Sequence, residues 1–88
     1  MHTAIPDKPA LSRRFRMQWE AAQNSYVLLY PEGMVKLNQS AAEILKRCDG
    51  QRSVPAIVQE LEQAFQATGL QADVNDFLRA AGERGWFA

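Results

Sequence analysis

The chain has 88 residues, 47% of them apolar and 23% charged, and its ten basic and ten acidic residues cancel. This length accommodates one compact domain and excludes a second, and the composition is that of a folded chain rather than a disordered one. A nucleic-acid partner is disfavoured, because nucleic-acid binders normally carry a strongly basic surface. We also expect a cytoplasmic protein with no membrane partner, since no stretch approaches the ~20 apolar residues of a membrane span.

The beginning of the chain predicts an extended segment rather than a helix. Pro6 and Pro9 lie in a polar run, and proline disfavours a helix at and before its own position. We therefore predict a flexible N-terminal arm over 1–13, followed by a single domain over 14–88.

Three strands are predicted next. Apolar and polar residues alternate over 14–19, which is typical of a half-buried strand. After a polar loop, the β-branched and aromatic run at 26–30 favours a second strand. Pro31 suits the first corner of a turn and Gly33 its end, so the chain should reverse there into a third strand over 34–37. The predicted sheet is an antiparallel meander.

A change of period after Leu37 predicts the first of three helices. Asn38 could cap it, or Ser40 could do so in a capping box with Glu43, and the pattern leaves both starts open. Gly50 is a plausible stop after this helix. The apolar positions that indicate the helix, spaced by three or four residues, are Ala41, Ile44, Leu45 and Cys48.

Two further helices follow. Ser53 can cap the second, with Pro55 in its first turn and Gly69 at its end, and Asp73 can cap the third, which Gly85 should end. Strands followed by helices predict an α+β domain in which three helices cover one face of the sheet. The apolar stripes comprise Val54, Ile57, Val58, Leu61, Ala64 and Phe65 in the second helix, and Val74, Phe77, Leu78 and Ala81 in the third.

The side chains needed for catalysis are sparse. His2 is the only histidine and lies in the predicted arm, whereas Cys48 lies on an apolar stripe and is expected to pack in the core. One cysteine cannot by itself build a structural zinc site. Motifs for nucleotides, zinc proteases and serine hydrolases are absent from the sequence. We therefore predict no enzyme activity, no catalytic residue, no metal site and no cofactor.

Several segments together resemble one known family. The run LLYPEGMVKLNQSAAEIL (28–45), followed by CDG (48–50), DVNDFL (73–78) and RGWF (84–87), is similar to the pyrroloquinoline quinone (PQQ) biosynthesis protein D family. The resemblance covers nearly the whole chain from about Leu11. It implies a winged-helix-like recognition element that acts as a peptide chaperone. The implied partners are the ribosomally made PQQ precursor peptide and the radical S-adenosylmethionine enzyme that cross-links it.

The resemblance also implies where the peptide binds. In such domains the peptide adds as a strand to the third strand and lies beside the third helix, which is an established mode of recognition. Transferred to this sequence by position, the expected peptide-binding residues are Met34, Val35, Lys36, Leu37, Phe77, Leu78 and Ala81.

Two alternatives accompany this interpretation. A winged-helix DNA-binding regulator is the rival function, but it requires a basic recognition helix, whereas the third helix carries more acidic than basic residues. In addition, an exposed strand at a sheet edge permits self-association by strand exchange between chains.

Overall fold

Alternating residues near the start of the chain build a three-stranded antiparallel sheet. The computed structural model describes residues 5–88. The strands are β1 (Arg16–Glu20), β2 (Ser25–Tyr30) and β3 (Gly33–Lys36), and their order in the sheet is β1-β2-β3, so β2 is central. All three predicted strands are confirmed, with ends that shift by at most two residues.

Three helices follow the sheet and pack on its inner face. They are α1 (Gln39–Lys46), α2 (Val54–Ala64) and α3 (Gln71–Glu83), which confirms the predicted α+β order β-β-β-α-α-α. Apolar surface that is buried between the sheet and the helices stabilises the fold by about 25 cal/mol per Å². Its buried residues from the sheet and the helices include Leu28, Leu37, Ile44, Leu45, Ile57, Leu61, Val74, Leu78, Ala81 and Trp86.

The first helix begins at Gln39, one residue before the predicted start at Ser40, and it ends before the predicted stop at Gly50. The side chain of Asn38 accepts a hydrogen bond from the Ala41 amide at 2.8 Å, so Asn38 is the cap. The helix ends at Lys46, and Cys48 lies beyond it, buried. The prediction that Gly50 ends this helix is wrong.

Gly50 has a different role, at a crossing of two chain segments. Its φ of +79° lies in the left-handed region, and a Cβ at this position would lie 3.2 Å from the Cβ of Ala10. Its amide donates a hydrogen bond to the Pro9 carbonyl oxygen at 3.0 Å. The described part of the predicted flexible arm therefore lies against the domain at Pro9 and Ala10, because its extended backbone finds partners there. His2 and the rest of residues 1–4 lie outside the described residues.

The second helix has the predicted start and a different end. Ser53 caps it by accepting a hydrogen bond from the Ala56 amide at 3.2 Å. The helix ends before the predicted Gly69, because Gln66 adopts a φ of +51° and the Ala67 amide returns to the Glu62 carbonyl at 2.9 Å. Phe65, predicted to lie on the apolar stripe, is 45% exposed beyond this end.

The third helix starts earlier than its predicted cap. Leu70 occupies the cap position without a capping side chain, and its own amide donates to a Glu62 carboxylate oxygen at 3.1 Å. Asp73, predicted as the cap, lies inside the first turn, where a carboxylate still stabilises the helix N-terminus. The predicted end is confirmed, since Gly85 follows the helix with a φ of +75°.

Candidate functional site

The outer edge of β3 carries unpaired backbone groups at two positions. The Leu37 amide donates to the Tyr26 carbonyl at 2.9 Å, and Val35 lies opposite Leu28 in the same register. In an antiparallel pair, hydrogen-bonded and non-hydrogen-bonded positions alternate. The amide and carbonyl of Val35 therefore point towards β2, and those of Met34 and Lys36 point away from the sheet. Within residues 5–88 no other strand pairs with this edge.

The side chains of β3 and Leu37 alternate between the two faces of the sheet. Leu37 is buried in the core and Val35 is partly buried against it. Met34 is 46% exposed, and Lys36 is exposed. The inner face therefore carries apolar contacts, while the outer face presents a thioether and an ammonium group to solvent.

A cleft of about 350 Å³ opens on the inner face, between the start of β3 and the end of α3. Its floor is aromatic, since the ring of Phe15 lies 5.6 Å from that of Tyr30 and 6.4 Å from that of Trp86, centroid to centroid. The ring planes are inclined by 51° and 50°, so the pairs are tilted rather than stacked face to face, an arrangement that aromatic rings favour. The residues that line the cleft are Arg14, Phe15, Tyr30, Glu32, Val35, Arg84, Gly85 and Trp86.

Trp86 is held in place by the end of α3. After the left-handed residue Gly85, the Trp86 amide donates to the Ala81 carbonyl at 3.1 Å, which is the hydrogen bond of a Schellman motif. This turn directs the indole back onto the helix, where it contacts Phe77 at a ring distance of 6.3 Å. Trp86 is 7% exposed. The floor of the cleft is therefore part of the core.

The α3 residues expected to bind the peptide pack in the core and do not line the cleft. Leu78 and Ala81 are fully buried, and Phe77 is partly buried. Of the seven expected residues, only Val35 lines the cleft. Met34 and Lys36 lie beside it on the outer face.

Sequence reasoning missed most of the cleft lining. The alternation of Phe15 with Met17 already placed Phe15 on the inner face, so that residue could have been found. The approach of Trp86 and Arg84 to the start of β3 has no local signal, because it joins residues distant in sequence.

Two charged groups at the cleft differ in their partners. Arg14 and Glu32 form an exposed ion pair at 3.0 Å, so these charges largely neutralise each other. The Arg84 guanidinium lies over the Trp86 ring, 5.7 Å from its centroid, at a distance that permits a cation–π interaction. Neither Arg84 nor Lys36 forms an ion pair with a residue of the described chain. The region therefore has a local excess of positive charge.

A second hollow, of about 310 Å³, lies among the helices. It is lined mainly by apolar residues, and its rim includes the half-exposed ring of Phe65. It borders no sheet edge, so it lacks the outward amides and carbonyls that β3 offers. Its lining comprises Gln39, Ser40, Glu43, Ile44, Leu61, Phe65, Ala67, Leu70, Asp73 and Val74.

Reactive groups are few in the described chain. Burial raises the pKa of the Cys48 thiol to about 12, so the thiol stays protonated near neutral pH, and Sγ lies 3.3 Å from the Ile44 carbonyl oxygen. Residues 5–88 hold no group of three or more His, Cys, Asp or Glu side chains that could bind a metal ion. Over the same residues, no helix has the length and apolar character needed to cross a membrane.

The architecture and the sequence both match known proteins. The chain superposes on the solution structure of the PqqD truncation of Methylobacterium extorquens PqqCD with a TM-score of 0.74 and 29% identity, covering 98% of this chain and 96% of that one. That protein is described as a functional, stand-alone recognition element for ribosomally synthesised and post-translationally modified peptides. The sequence pattern of the Coenzyme PQQ synthesis protein D (PqqD) family matches residues 25–86, and the chain belongs to this family.

Individual relatives share about half of their residues with this chain. The PqqA binding protein of Azotobacter vinelandii is 56% identical over 85 residues, which cover 96% of this chain and 92% of that protein. The PqqA binding protein of Methylococcus capsulatus is 51% identical over 76 residues, which cover 86% of this chain and 82% of that protein.

Proposed function

We propose that this chain is a peptide chaperone of PQQ biosynthesis, which binds the precursor peptide PqqA and presents it to the enzyme that modifies it. The names of its relatives support the ligand, and the likeness to a peptide recognition element supports the role. The structural observation that carries the proposal is the free edge of β3 beside an aromatic cleft. An exposed strand with side-chain pockets next to it is suited to bind an extended peptide.

The peptide adds to the sheet as a strand next to β3. The outward amides and carbonyls of Met34 and Lys36 pair with its backbone, and Val35 contacts its side chains from the inner face. The other four expected residues support the site from the core, because they fix the position of β3 and of the cleft floor. They are Leu37, Phe77, Leu78 and Ala81. Ordering the peptide costs ~2–5 kcal/mol, so we expect a Kd near ~1 µM, or about −8 kcal/mol.

The chemistry on the peptide is carried out by the partner. Cys48 has a protonated, buried thiol, and the cleft contains neither a nucleophile activated by a base nor a metal-binding cluster within residues 5–88. We assign the cross-linking step to a radical S-adenosylmethionine enzyme, and we place the encounter of the two proteins in the cytoplasm. The chaperone itself needs no cofactor for binding by strand addition.

The exposed surface of α3 does not favour the rival function of DNA binding. Arg79 forms an exposed ion pair with Asp76 at 3.2 Å, so the one cation of the helix body has a carboxylate beside it. Asp73 and Glu83 add negative charge to the same helix. A helix with this balance would be repelled by a polyanion.

A pair of proline variants tests strand addition. Lys36→Pro removes an outward amide and should weaken PqqA binding about tenfold while the domain stays folded, since proline is tolerated on edge strands. Val35→Pro removes an amide that bonds to β2, and should instead lower the thermal unfolding midpoint. Lys36→Ala is the matched control, because it truncates the side chain but keeps the amide. Binding is measured by isothermal titration calorimetry.

The same titration followed by amide chemical shifts locates the peptide. We expect the largest shifts at Met34 and Lys36 and at the lining of the cleft. If folded Lys36→Pro binds PqqA as tightly as Lys36→Ala, strand addition at β3 is wrong and another surface binds the peptide.

A further inference from the structure

The register of the sheet defines two rows of side chains on its outer face. One row runs across the strands from Gln18 through Val27 to Lys36. A peptide strand added to β3 would extend this row by one residue, placed directly beside Lys36. Side chains opposite each other in adjacent strands have Cβ atoms about 4.5–5.5 Å apart, so the two would interact.

The second row has a different chemical character. It runs from Arg16 through Leu29 to Met34, and Met34 is 46% exposed. The peptide residue that extends this row lies two positions away from the one beside Lys36. It would cover the half-exposed thioether of Met34, so an apolar residue fits this position.

The peptide residue between these two points to the other face. It shares the inner face with Val35, over the cleft floored by Phe15, Tyr30 and Trp86. Burial in this cleft favours an apolar side chain. Three consecutive peptide residues thus meet three different environments: an ammonium group, an aromatic cleft and an exposed thioether.

The ammonium group of Lys36 has no carboxylate partner among the described residues. The acid near the start of β3, Glu32, is engaged by Arg14. A lysine on an exposed edge also discourages pairing with unrelated strands. A peptide that supplies a carboxylate at this position is attracted to the Lys36 ammonium group. Lys36 therefore both discourages pairing with unrelated strands and favours an acidic peptide.

We propose that β3 selects a three-residue pattern in its peptide: an acidic residue opposite Lys36 and apolar residues at the next two positions, opposite Val35 and Met34. Both directions of the added strand give the same three neighbours, because side chains alternate between faces in parallel and antiparallel pairs alike. The acidic residue comes first along the peptide in an antiparallel pair and last in a parallel pair. Lys36 is the specificity-determining residue, since it is the one position of the edge that distinguishes charge. This inference rests on the proposed binding of PqqA to β3.

The test is a set of PqqA peptides in which each Asp and Glu is changed, one at a time, to Asn or Gln. At low salt, one of these changes should weaken binding about two- to fivefold, which is the range for an exposed ion pair. The same change should have no further effect on the Lys36→Gln domain. Lys36→Glu should bind the parent peptide worse than Lys36→Gln does, and a lysine at the selected peptide position should restore its binding.

Salt dependence separates this charge effect from a change in fold. The loss caused by Lys36→Gln should shrink between about 0.02 M and about 0.5 M salt, because screening weakens exposed charge pairs. If every carboxylate variant binds the parent domain equally well, or if the loss is the same in the Lys36→Gln domain, selection by Lys36 is wrong. Amide shifts of Met34 and Lys36 that persist in that case leave strand addition intact, whereas absent shifts at β3 overturn both proposals.

Discussion

The two edges of the sheet offer similar backbone groups and very different surroundings. Because the Leu28 backbone bonds to β3, the neighbouring positions of β2 bond to β1, and the amides of Met17 and Trp19 point outwards from β1. Neither edge pairs with a further strand within residues 5–88. The β3 edge, however, borders a cleft floored by three aromatic rings, whereas the hollow that Trp19 lines on β1 is edged mainly by polar residues of the β1–β2 loop and of α1. A free edge is therefore not a site by itself, and the neighbouring side chains decide whether it can hold a peptide.

The two tryptophans near these edges also differ in their burial and in their contacts. Trp86, at the cleft, is 7% exposed and contacts both Phe15 and Phe77. Trp19, near the other edge, is 50% exposed and packs on Tyr26 alone among aromatic residues of the described chain, at a ring distance of 5.1 Å. The floor of the cleft is therefore anchored in the core by Trp86, whereas Trp19 at the β1 edge has one aromatic partner and is half exposed.

Truncating each tryptophan should produce the largest difference between the two regions. Trp86→Ala should lower the free energy of unfolding by about 3–5 kcal/mol, because it leaves a large void under the cleft. Trp19→Ala should cost clearly less, because half of the side chain is exposed; the lost aromatic pair contributes about 0.5–1.5 kcal/mol beyond the lost burial. Urea denaturation followed by circular dichroism measures both. Equal losses of unfolding free energy in the two variants would mean that Trp86 is not part of the core.

A smaller effect is expected from shortening one apolar side chain beside each edge. Val35→Ala removes two methyl groups over the cleft. At ~0.8 kcal/mol per carbon newly buried by the peptide, it should weaken PqqA binding by up to about 15-fold. Met17→Ala, on β1, should reduce stability but leave the Kd of the remaining folded protein unchanged. Calorimetric titration of both variants distinguishes the edges. The contrast fails if Met17→Ala weakens binding as much as Val35→Ala.

The smallest expected effect is on binding at the β1 edge itself. Trp19→Pro removes an outward amide from β1, as Lys36→Pro does from β3, so the two are matched in chemistry. We expect the Kd for PqqA to stay within about twofold of that of Trp19→Ala, which lacks the ring but keeps the amide. A tenfold loss would show that the peptide uses the β1 edge.

Local pattern predicted the elements well where a single segment sets its own conformation. The alternation at 14–19 and the caps at Ser53 and Gly85 act within a few residues, and all three are confirmed. Prediction failed where a distant segment supplied the partner. Gly50 was assigned to a helix end, yet its left-handed conformation accommodates Ala10, which crosses it from the beginning of the chain.

At the site, the amino-acid pattern alone was enough to predict which side chains of β3 face the core. Alternation fixes that Val35 and Leu37 share one face and Met34 and Lys36 the other, whatever the strand pairs with. The direction of the amides is a separate matter, since the same side-chain pattern fits either hydrogen-bonding phase. Only the pairing with β2 decided that Lys36, rather than Val35, presents its amide to solvent.

The cleft likewise depended on the tertiary structure. The sequence determined that Trp86 follows a helix stop at Gly85 and should pack back on the domain. That it meets Phe15 and Tyr30 beside β3 is a contact between the two ends of the domain, and such contacts form only when the helices close over the sheet. Local pattern specifies which groups are apolar, but the free energy of the whole core decides which of them come together.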